Sequence, residues 1–412
     1  MSGMNFLERL LDGAAVEWKA LGKIATLRRG RVMSKGYLVD NAGSYPVFSS
    51  QTANNGVIGK INTFDFDGEF ISWTTDGANA GTVFYRNGKF SITNVCGLIR
   101  INDELNLNYK FLFYWLTIEA QKHVYSGMGN PKLMSHQVEK IPIPIPCPDK
   151  PDRSLAIQAE IVQILDTFTA LTAELTAELT AELSDRKKQY NYYRDRLLTF
   201  EEGEVEWKTL GEIGEFIRGK RFTKADYVDD GIQAIHYGEI YTHYGVSASH
   251  TLSQVRAEMA ASLRYAMPND VVMAGVGETV EDVGKAVAWI GSEKVAIHDD
   301  SWAFRHSINP KFVSYVMQTT TFINEKTKYV SSGKVKRLLI NGIEKIRIPI
   351  PYPNDPKKSV AEQARIVAIL DKFDTLTTSI SQGLPREIAL RQKQYEYYRD
   401  LLLSFPPPLT PP

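Results

Sequence analysis

The chain has 412 residues, 43% of them hydrophobic, with 48 Lys and Arg against 48 Asp and Glu, a balance typical of soluble globular proteins. The zero net charge counts against a free-standing, high-affinity nucleic-acid binder, because clustered Lys and Arg drive such binding through counterion release. No apolar run reaches the roughly 18 residues of a membrane span, and the two cysteines, Cys96 and Cys147, lie outside any C-x-x-C pair, which counts against structural zinc and a disulfide framework and predicts a reducing cytoplasm.

The first 150 residues predict a β-rich domain. Over residues 16–148, short β-branched and aromatic stretches alternate with Gly, Asn and Asp, which is typical of strands and hairpins. One helix is predicted over residues 108–124, where aromatic and leucine side chains recur at helical spacing. The exit, residues 141–148, alternates isoleucine with proline, so it should be extended, and we expect it to be a linker. The fold class is therefore α+β.

Residues 154–200 contain neither Gly nor Pro and predict one long helix, which at 1.5 Å per residue would span roughly 70 Å. The tetrapeptide T-A-E-L occurs in it three times in succession. Each unit advances a helix by roughly 6 Å and 400°, so the repeat predicts a ruler that sets a distance; the alternative is ordinary helix-forming sequence. The ruler positions are Thr172, Leu175, Thr176, Leu179, Thr180 and Leu183.

The second half of the chain repeats the first. Residues 16–22 match residues 205–211 at an offset of 189, whereas residues 139–146 match 344–351 at an offset of 205. The offset increases by 16, so the second copy has 16 additional residues between the two matched blocks. Such a pattern is expected of a duplication that keeps the scaffold and lets the readout diverge; the alternative is unselected drift of two copies.

The duplication predicts the domain organisation. It gives a domain over residues 1–150, a helix over 151–203, a second domain over 204–356, a second helix over 357–405 and a tail over 406–412 with no assigned role. We expect a kink or restart of the second helix near Pro385. Both helices carry an apolar stripe, so they should pair as an antiparallel coiled coil, with the two domains at opposite ends, related by a pseudo-twofold axis.

Catalytic and metal-binding motifs are absent from the sequence. It has no G-x-x-x-x-G-K-[ST], no H-E-x-x-H, no G-x-S-x-G and no Asn-Pro-Pro-aromatic tetrapeptide, and the G-x-G at residues 275–277 stands alone. The seven histidines form no ligand-spaced pair on a helix face. His236, His243, His250 and His298 are more typical of polar surface or structural residues than of metal ligands. We therefore expect no catalytic residue and no metal site.

Basic residues recur near the start and the end of each domain, beside glycines. Basic side chains on such loops suit contacts with DNA phosphates, which position a protein without reading sequence. The candidate phosphate contacts are Arg28, Arg29, Arg31, Lys35 and Lys132 in the first domain, and Arg218, Lys220, Arg221, Lys224, Lys334, Lys336 and Arg337 in the second.

Polar segments between these basic elements differ between the copies. Such side chains can bond base edges in the major groove, although solvated turns have the same composition. The candidate base contacts are Ser50, Gln51, Asn54, Asn55, Thr74, Thr75 and Asn79 in the first domain, and His236, Tyr237, Tyr241 and His243 in the second.

Four repeated motifs carry a resemblance to a known family. They are V-E-W-K-x-L-G at 16–22 and 205–211, I-P-I-P at 143–146 and 348–351, S-[LV]-A-x-Q-A-x-I-V at 154–162 and 359–367, and Q-Y-x-Y-Y-R-D at 189–195 and 394–400. Over essentially its whole length the chain resembles the specificity subunit of type I restriction-modification systems, and the T-A-E-L run resembles the type IC group.

The resemblance implies a non-catalytic DNA-recognition subunit. Each variable domain would be a target recognition domain that reads half of a bipartite, asymmetric site. The helices would be spacers that dock two methyltransferase subunits, which carry S-adenosylmethionine and methylate adenine. Two restriction subunits would add ATP- and Mg-dependent translocation and cleavage, so no cofactor is expected on this chain.

Two other interpretations stay open. An antirestriction or scaffolding protein would bind the same partners without reading DNA, and salt-dependent, sequence-selective DNA binding separates it from a specificity subunit. A self-sufficient nuclease or methyltransferase is disfavoured by the missing motifs.

Overall fold

The computed structural model describes residues 6–102, 107–126, 129–201, 204–378 and 383–407. The chain forms two compact units: unit 1 comprises Met1–Thr176 and Leu390–Pro412, and unit 2 comprises Ala177–Ala389. The boundary falls inside the T-A-E-L repeat. The predicted tail lies outside the described residues from position 408 onward. The predicted domain limits stay predictions.

Unit 1 is built on a six-stranded mixed sheet. Its first helices and its strands are α1 (Phe6–Leu11), β1 (Val16–Ala20), α2 (Leu21–Ile24), β2 (Ala25–Arg29), α3 (Lys35–Asp40), β3 (Ala42–Phe48), β4 (Val57–Ile61), β5 (Phe66–Thr74), β6 (Val83–Ile92), β7 (Cys96–Ile101), α4 (Tyr109–Glu119), α5 (Ser135–Val138), β8 (Pro142–Pro146) and α6 (Pro151–Leu197). Six strands pair in the order β2-β7-β5-β6-β3-β4, antiparallel except for β3 and β6. The predicted helix over residues 108–124 corresponds to α4 and one 3₁₀ turn.

Unit 2 divides its strands between two main sheets. The elements that follow α6 are β9 (Val205–Thr209), α7 (Leu210–Ile213), β10 (Gly214–Arg218), β11 (Tyr227–Ile235), α8 (Tyr237–Thr242), β12 (Ser247–Ala248), β13 (Ser253–Val255), β14 (Tyr265–Ala266), β15 (Val271–Ala274), β16 (Val276–Gly277), β17 (Ala286–Trp289), β18 (Val295–Ile297), β19 (Ser301–His306), α9 (Pro310–Val316), α10 (Thr320–Thr327), β20 (Lys336–Arg337), α11 (Ile340–Ile343), β21 (Arg347–Pro351), α12 (Pro356–Thr378) and α13 (Leu384–Leu402). From Leu390 onward α13 belongs to unit 1. The sheet orders are β10-β19-β15-β17-β12 and β13-β11-β18-β14. The expected interruption is present between α12 and α13.

The proline-rich exits are strands, so their prediction as linkers was wrong. β8 pairs antiparallel with β1, and β21 pairs in the same way with β9. In β8, Ile143 and Ile145 are buried and alternate with prolines that lack an N–H donor. Because this alternation has the period of a strand, one face packs against the core while the donor-less residues occupy the other. In each unit the strand of the opening motif therefore pairs with the strand of the exit motif.

A third repeated block connects each long helix to its domain. The motif N-x-K-F-x-x-Y at residues 108–114 recurs at 309–315 with an offset of 201, at the start of α4 and of α9. The amide oxygen of Gln158 on α6 accepts from the backbone N–H of Asn108 at 2.9 Å. Gln363 on α12 accepts from Asn309 at 3.0 Å. Both amides are buried, so they fix the helices in equivalent places.

The long helices bury their stripes within each unit. In unit 1, Phe168 of α6 stacks on Tyr398 of α13 at 5.6 Å between ring centroids. The hydroxyl of Thr169 donates to Tyr395 at 3.1 Å. From Phe168 to Thr169 on α6, the contacting residue on α13 changes from Tyr398 to the earlier Tyr395. The two helices therefore run antiparallel, as predicted. Within the described ranges, no helix combines the length and apolarity needed to cross a bilayer.

Candidate nucleic-acid interface

Backbone hydrogen bonds between strand ends form the centre of the candidate interface in unit 1. The three bonds run from Gly30 N–H to Cys96 C=O (3.4 Å), from Arg31 N–H to Ile92 C=O (3.3 Å) and from Thr93 N–H to Phe48 C=O (2.9 Å). They bring together the ends of β2, β3 and β6 and the start of β7. No side chain takes part in them, so the arrangement tolerates different side chains.

Unit 2 contains the same three bonds. They run from Gly219 N–H to Ser301 C=O (3.0 Å), from Lys220 N–H to Ile297 C=O (3.0 Å) and from His298 N–H to Ile235 C=O (3.2 Å). A Cβ on Gly30 or on Gly219 would lie 2.1 Å from a carbonyl oxygen, so glycine alone fits at both positions. We call these bonds the backbone frame of each unit. The frame gives Arg31 and Lys220 equivalent positions.

A second shared contact fixes the basic residue near the end of each domain. The amide of Leu133 donates to Thr75 at 3.0 Å, and the amide of Leu338 donates to Gly275 at 3.0 Å. The preceding residues, Lys132 and Arg337, are therefore equivalent, as their sequence positions suggested. Both are exposed.

Side chains differ where the frames agree. In unit 1 the hydroxyl of Thr93 donates to the hydroxyl of Ser49 at 2.9 Å. In unit 2 the equivalent residues are His298 and His236, whose rings lie 4.5 Å apart between centroids. A small hydroxyl pair in one unit thus corresponds to an imidazole pair in the other. The prediction of a common scaffold with divergent middles agrees with this geometry.

In unit 2 the frame opens into a polar cleft of about 570 Å³. It gathers six of the predicted site residues: Arg218, Arg221, Lys224, His236, Tyr237 and Arg337. Acidic groups are also present in the cleft. Arg337 contacts the carboxylate of Asp300 at 3.4 Å, and the guanidinium of Arg218 donates to the backbone carbonyl of Asp299 at 2.8 Å. These partners hold the two arginines at the cleft without neutralising its remaining basic groups.

Three potential metal ligands lie together at this cleft. The ligand atoms of His298, Asp299 and Asp300 are within 4.8 Å of one another. However, Nδ1 of His298 already accepts from the amide of Asp300 at 3.1 Å, and Arg337 contacts the Asp300 carboxylate. Because two of these three ligands already have protein partners, we assign no metal to the group. The absence of metal binding stays a prediction.

The other basic candidates are dispersed around each frame. Arg31 pairs with Asp65 at 3.0 Å and donates to Tyr37 at 3.1 Å; the hydrogen bond to Tyr37 is the main reason that the pKa of Arg31 is raised. Arg29 reaches the Met134 sulfur at 3.7 Å. The remaining candidates are Arg28, Lys35, Lys220 and Lys334, which are exposed, and Lys336, which is half-buried in β20.

Two predicted base contacts in unit 1 are misplaced. Thr74 and Thr75 are buried, and their hydroxyls donate to the backbone carbonyls of Asn79 and Val95. A buried hydroxyl that is already bonded to the backbone cannot reach a base. Sequence composition gave no sign of this, because threonine suits both a buried strand end and an exposed turn.

The other polar candidates lie at or near the surface. Gln51, Asn54, Asn55, Asn79 and His243 are exposed, and Ser50, Tyr237 and Tyr241 are half-buried. Asn54 and Asn55 have positive φ values of 51° and 52°, a conformation that asparagine tolerates better than most residues. The segment of unit 1 at residues 49–56, which we call the asparagine loop, therefore presents two adjacent amide side chains to solvent.

Arg86 is a functional candidate that the sequence analysis missed. Its guanidinium is buried, stacks over Phe48 at 3.6 Å, and donates to Ser72 and to the carbonyl of Asn55, both at 2.9 Å. The Nη2 atom has no hydrogen-bond partner within the part of the chain that the structure describes. Burial lowers the pKa of Arg86 to about 10. Arg86 thus supports the asparagine loop from inside unit 1. Because β6 also contains Asn87 and Lys89, an arginine in this strand is no sequence signal of burial.

A polar side chain supports the loop before β6 and the loop before β17: the exposed Gln121 in unit 1 and the buried Lys326 in unit 2. The amide of Gln121 donates to the carbonyl of Ala80 at 3.0 Å. In unit 2 the ammonium of Lys326 donates to Val283 at 2.6 Å. Burial lowers the pKa of Lys326 to about 8. The two loops have the same place relative to the frame but different supports.

The family comparison decides the assignment. The model of the type I restriction modification DNA specificity domain matches residues 15–185 and 202–390. The chain belongs to this family. Two matches in tandem agree with the internal duplication, and the chain is a DNA-recognition subunit of the type I specificity class.

Specificity subunits of known systems resemble the chain over its full length. It is 37% identical to the EcoR124I/EcoR124II type I restriction enzyme specificity subunit of Escherichia coli, covering 100% of this chain and 99% of the relative. It is 32% identical to a putative type I restriction enzyme specificity subunit of Haemophilus influenzae, covering 97% and 98%. The prediction of a specificity subunit without catalytic function of its own is confirmed by this family membership. Assignment to the type IC group stays a prediction.

A solved structure shares the fold. A chain from a study of complex assembly and conformational transition of the type I restriction-modification system superposes with a TM-score of 0.64. The match covers 94% of this chain and 97% of that one, at 15% sequence identity. The predicted α+β architecture with long helices is therefore confirmed.

Proposed function

We propose that this specificity subunit reads a bipartite, asymmetric DNA sequence, one half through each unit. The observation that carries the proposal is the pair of equivalent backbone frames with unlike side chains. Ser49 and Thr93 occupy in unit 1 the positions of His236 and His298 in unit 2. Equal frames favour the same manner of approach to DNA, whereas unlike side chains favour different base sequences.

The basic residues around each frame would contact phosphates. Arg218, Arg221 and Lys224 line the cleft of unit 2, and Arg29, Arg31 and Lys132 lie around the frame of unit 1. Each such contact releases counterions, so replacing one basic residue should lower the salt dependence of binding by about one charge. Lys294 is exposed in the turn between β17 and β18 and is the matched control.

We propose a second role for the long helices, which is to set the spacing of the two half-sites and to bind the partner subunits. We propose that they dock two methyltransferase subunits, which bind S-adenosylmethionine and methylate adenine. Two restriction subunits would complete the assembly, with ATP and Mg bound there. This chain would bind no cofactor itself, and its work would take place in the cytoplasm, where these partners and the DNA meet.

A domain exchange tests the proposal. The complex of the chain with its methyltransferase subunit is incubated with a random duplex library, and the bound DNA is sequenced. We expect a motif in two parts. Replacing residues 16–148 with the matching domain of a relative should change one part and leave the other intact. Changes in both parts would contradict independent reading, and selection of no motif would favour a scaffolding role.

A further inference from the structure

His236 of unit 2 has a fixed proton position. It is the residue before α8, and its Nδ1 accepts a hydrogen bond from the backbone N–H of Gly238 at 3.1 Å. A backbone amide only donates, so Nδ1 carries no proton. In the neutral ring the proton must then be on Nε2, which is a donor and not an acceptor.

Neighbouring rings hold the imidazole in place and keep it neutral. The ring centroid of His236 lies 4.3 Å from that of Tyr237 and 4.5 Å from that of His298. Burial, followed by the proximity of His298, lowers the pKa of His236 to about 4. The ring therefore stays uncharged at neutral pH although Lys224 and Asp300 are close enough to act on it.

The Nε2 donor of His236 is available to a ligand. Within the described part of the chain it has no hydrogen-bond partner, and it is not among the buried side-chain atoms left without one. The residue lines the basic cleft together with Arg218 and Arg337. His298 differs from it in burial: its Nδ1 likewise accepts from a backbone N–H, that of Asp300, but His298 is buried and His236 is half-buried.

We infer that His236 is a specificity-determining residue of unit 2, which presents a single fixed N–H donor to the major-groove edge of one base. The inference rests on the proposed reading of DNA by this unit. Guanine, adenine and thymine each offer an acceptor at that edge, whereas cytosine offers its N4 amino donor. A donor that cannot become an acceptor therefore excludes cytosine at the contacted position.

Ser49, the equivalent residue of unit 1, differs from His236 in its hydrogen-bonding polarity. Ser49 has a hydroxyl, which can rotate and act as donor or acceptor, and it accepts from Thr93. It therefore lacks the fixed polarity of His236. The half-site read by unit 1 should not depend on position 236, so it provides an internal control in every experiment.

Two substitutions of His236 remove its Nε2 donor but keep an acceptor for the backbone N–H at the start of α8. Asparagine and serine are both favoured before a helix, where their oxygen accepts the same backbone N–H. His236→Asn and His236→Ser therefore keep the partner of Gly238 and remove the Nε2 donor. His250, an exposed histidine with Ser249 as its partner, gives the control variant His250→Asn.

The test uses selection from a random duplex library by the chain in complex with its methyltransferase subunit. We expect both His236 variants to lose preference at one position of one half-site, a position where the unaltered protein rejects cytosine. Rejection should weaken on the order of fivefold, as expected for one lost hydrogen bond. All other positions and the His250→Asn motif should stay unchanged.

Several results would overturn the inference. They are an unchanged motif in both variants, loss of the whole half-site in both, or altered preference at a position where cytosine was required. The last two would make His236 a structural residue or a different kind of contact. These results differ from failure of the proposed function, in which the unaltered protein itself would select no two-part motif.

Discussion

The carboxylate of Asp166 on α6 accepts a hydrogen bond from the hydroxyl of Tyr114 on α4 at 2.7 Å. Lys110 approaches the other carboxylate oxygen at 2.5 Å. In unit 2, Asp371 accepts from Tyr315 at 2.8 Å. Burial raises the pKa of both tyrosines, so they remain neutral donors. The repeated contact shows that a carboxylate on each long helix attaches the helix to its domain, in addition to the buried amides of Gln158 and Gln363.

Replacing Tyr114 with phenylalanine should destabilise unit 1 by about 1–2 kcal/mol, because it removes a hydrogen bond to a charged acceptor. Lys110→Ala should cost less than about 1 kcal/mol, since both partners of that ion pair are well exposed to solvent. Urea unfolding measures both. Asp185→Asn, which alters an exposed pair on the same helix, is the control. Equal effects of Tyr114→Phe and the control would refute the attachment.

Gly219→Ala should abolish recognition of one half-site. The added Cβ would meet the carbonyl oxygen of His298 at 2.1 Å, and a backbone atom cannot move aside without breaking the frame. Gly129→Ala is the control, because a Cβ there meets nothing within 4 Å. DNA selection should show the half-site of unit 1 retained in Gly219→Ala. A fully preserved two-part motif would show that the frame does not position the reader.

Much of this architecture was accessible from the sequence. The matched blocks predicted the duplication, the long helices and the equivalence of Arg337 and Lys132. They did so because equivalent residues stand at the same distance from the repeated motifs in both copies. The third block is harder to find, since its offset of 201 differs from the offsets of the other two blocks. Proline indicates extended backbone without indicating whether a strand lies beside it, so composition alone does not distinguish a linker from a paired exit strand.

Arg86→Met should leave the stability of unit 1 unchanged or slightly higher, because it removes a buried charge that has no ion pair within the described residues. It should also weaken binding to the half-site of unit 1 a few-fold, since the carbonyl of Asn55 loses its donor. Unfolding and DNA-binding measurements on the same variant separate the two effects. A large loss of stability with unchanged affinity would assign Arg86 a purely structural role.

Acid should destabilise unit 2 partly through His306. Burial lowers the pKa of His306 to about 4 from its usual 6.5, so between these values the unfolded chain binds a proton that the folded chain rejects. Stability therefore falls as pH drops from 6.5 to 4, by an amount on the order of 3 kcal/mol at most. His306→Asn keeps an acceptor for the N–H of Ile308 and should flatten the slope. His250→Asn should leave it unchanged.

Deleting residues 176–179 should shorten the tolerated gap between the half-sites without changing either one. Leu175, Leu179 and Leu183 are half-buried at four-residue spacing, so the deletion brings one leucine to the place of another. The helix loses roughly 6 Å, which corresponds to about two base pairs of duplex. Selection from libraries with graded gaps measures the change. An unaltered gap would reduce the repeat to ordinary helix-forming sequence.

The candidate site was harder to predict than the fold. Thr74 was proposed to face DNA and is buried, whereas Arg86 was overlooked and supports a loop from inside. Both errors concern side-chain direction, which composition does not record. Arg218, Lys224 and Arg337 do lie together in the cleft of unit 2, because they stand next to repeated motifs that the fold brings together; their contact with DNA stays a prediction.

The backbone frame also bears on how such a protein can change over time. Its three bonds in each unit involve main-chain atoms alone, so they can form whichever side chains occupy positions 49 and 236. Under the proposed reading of DNA, a substitution at position 49 or 236 would alter what is recognised while the bonds that order the strands stay intact. New targets would then arise through single codon changes, one half of the target at a time.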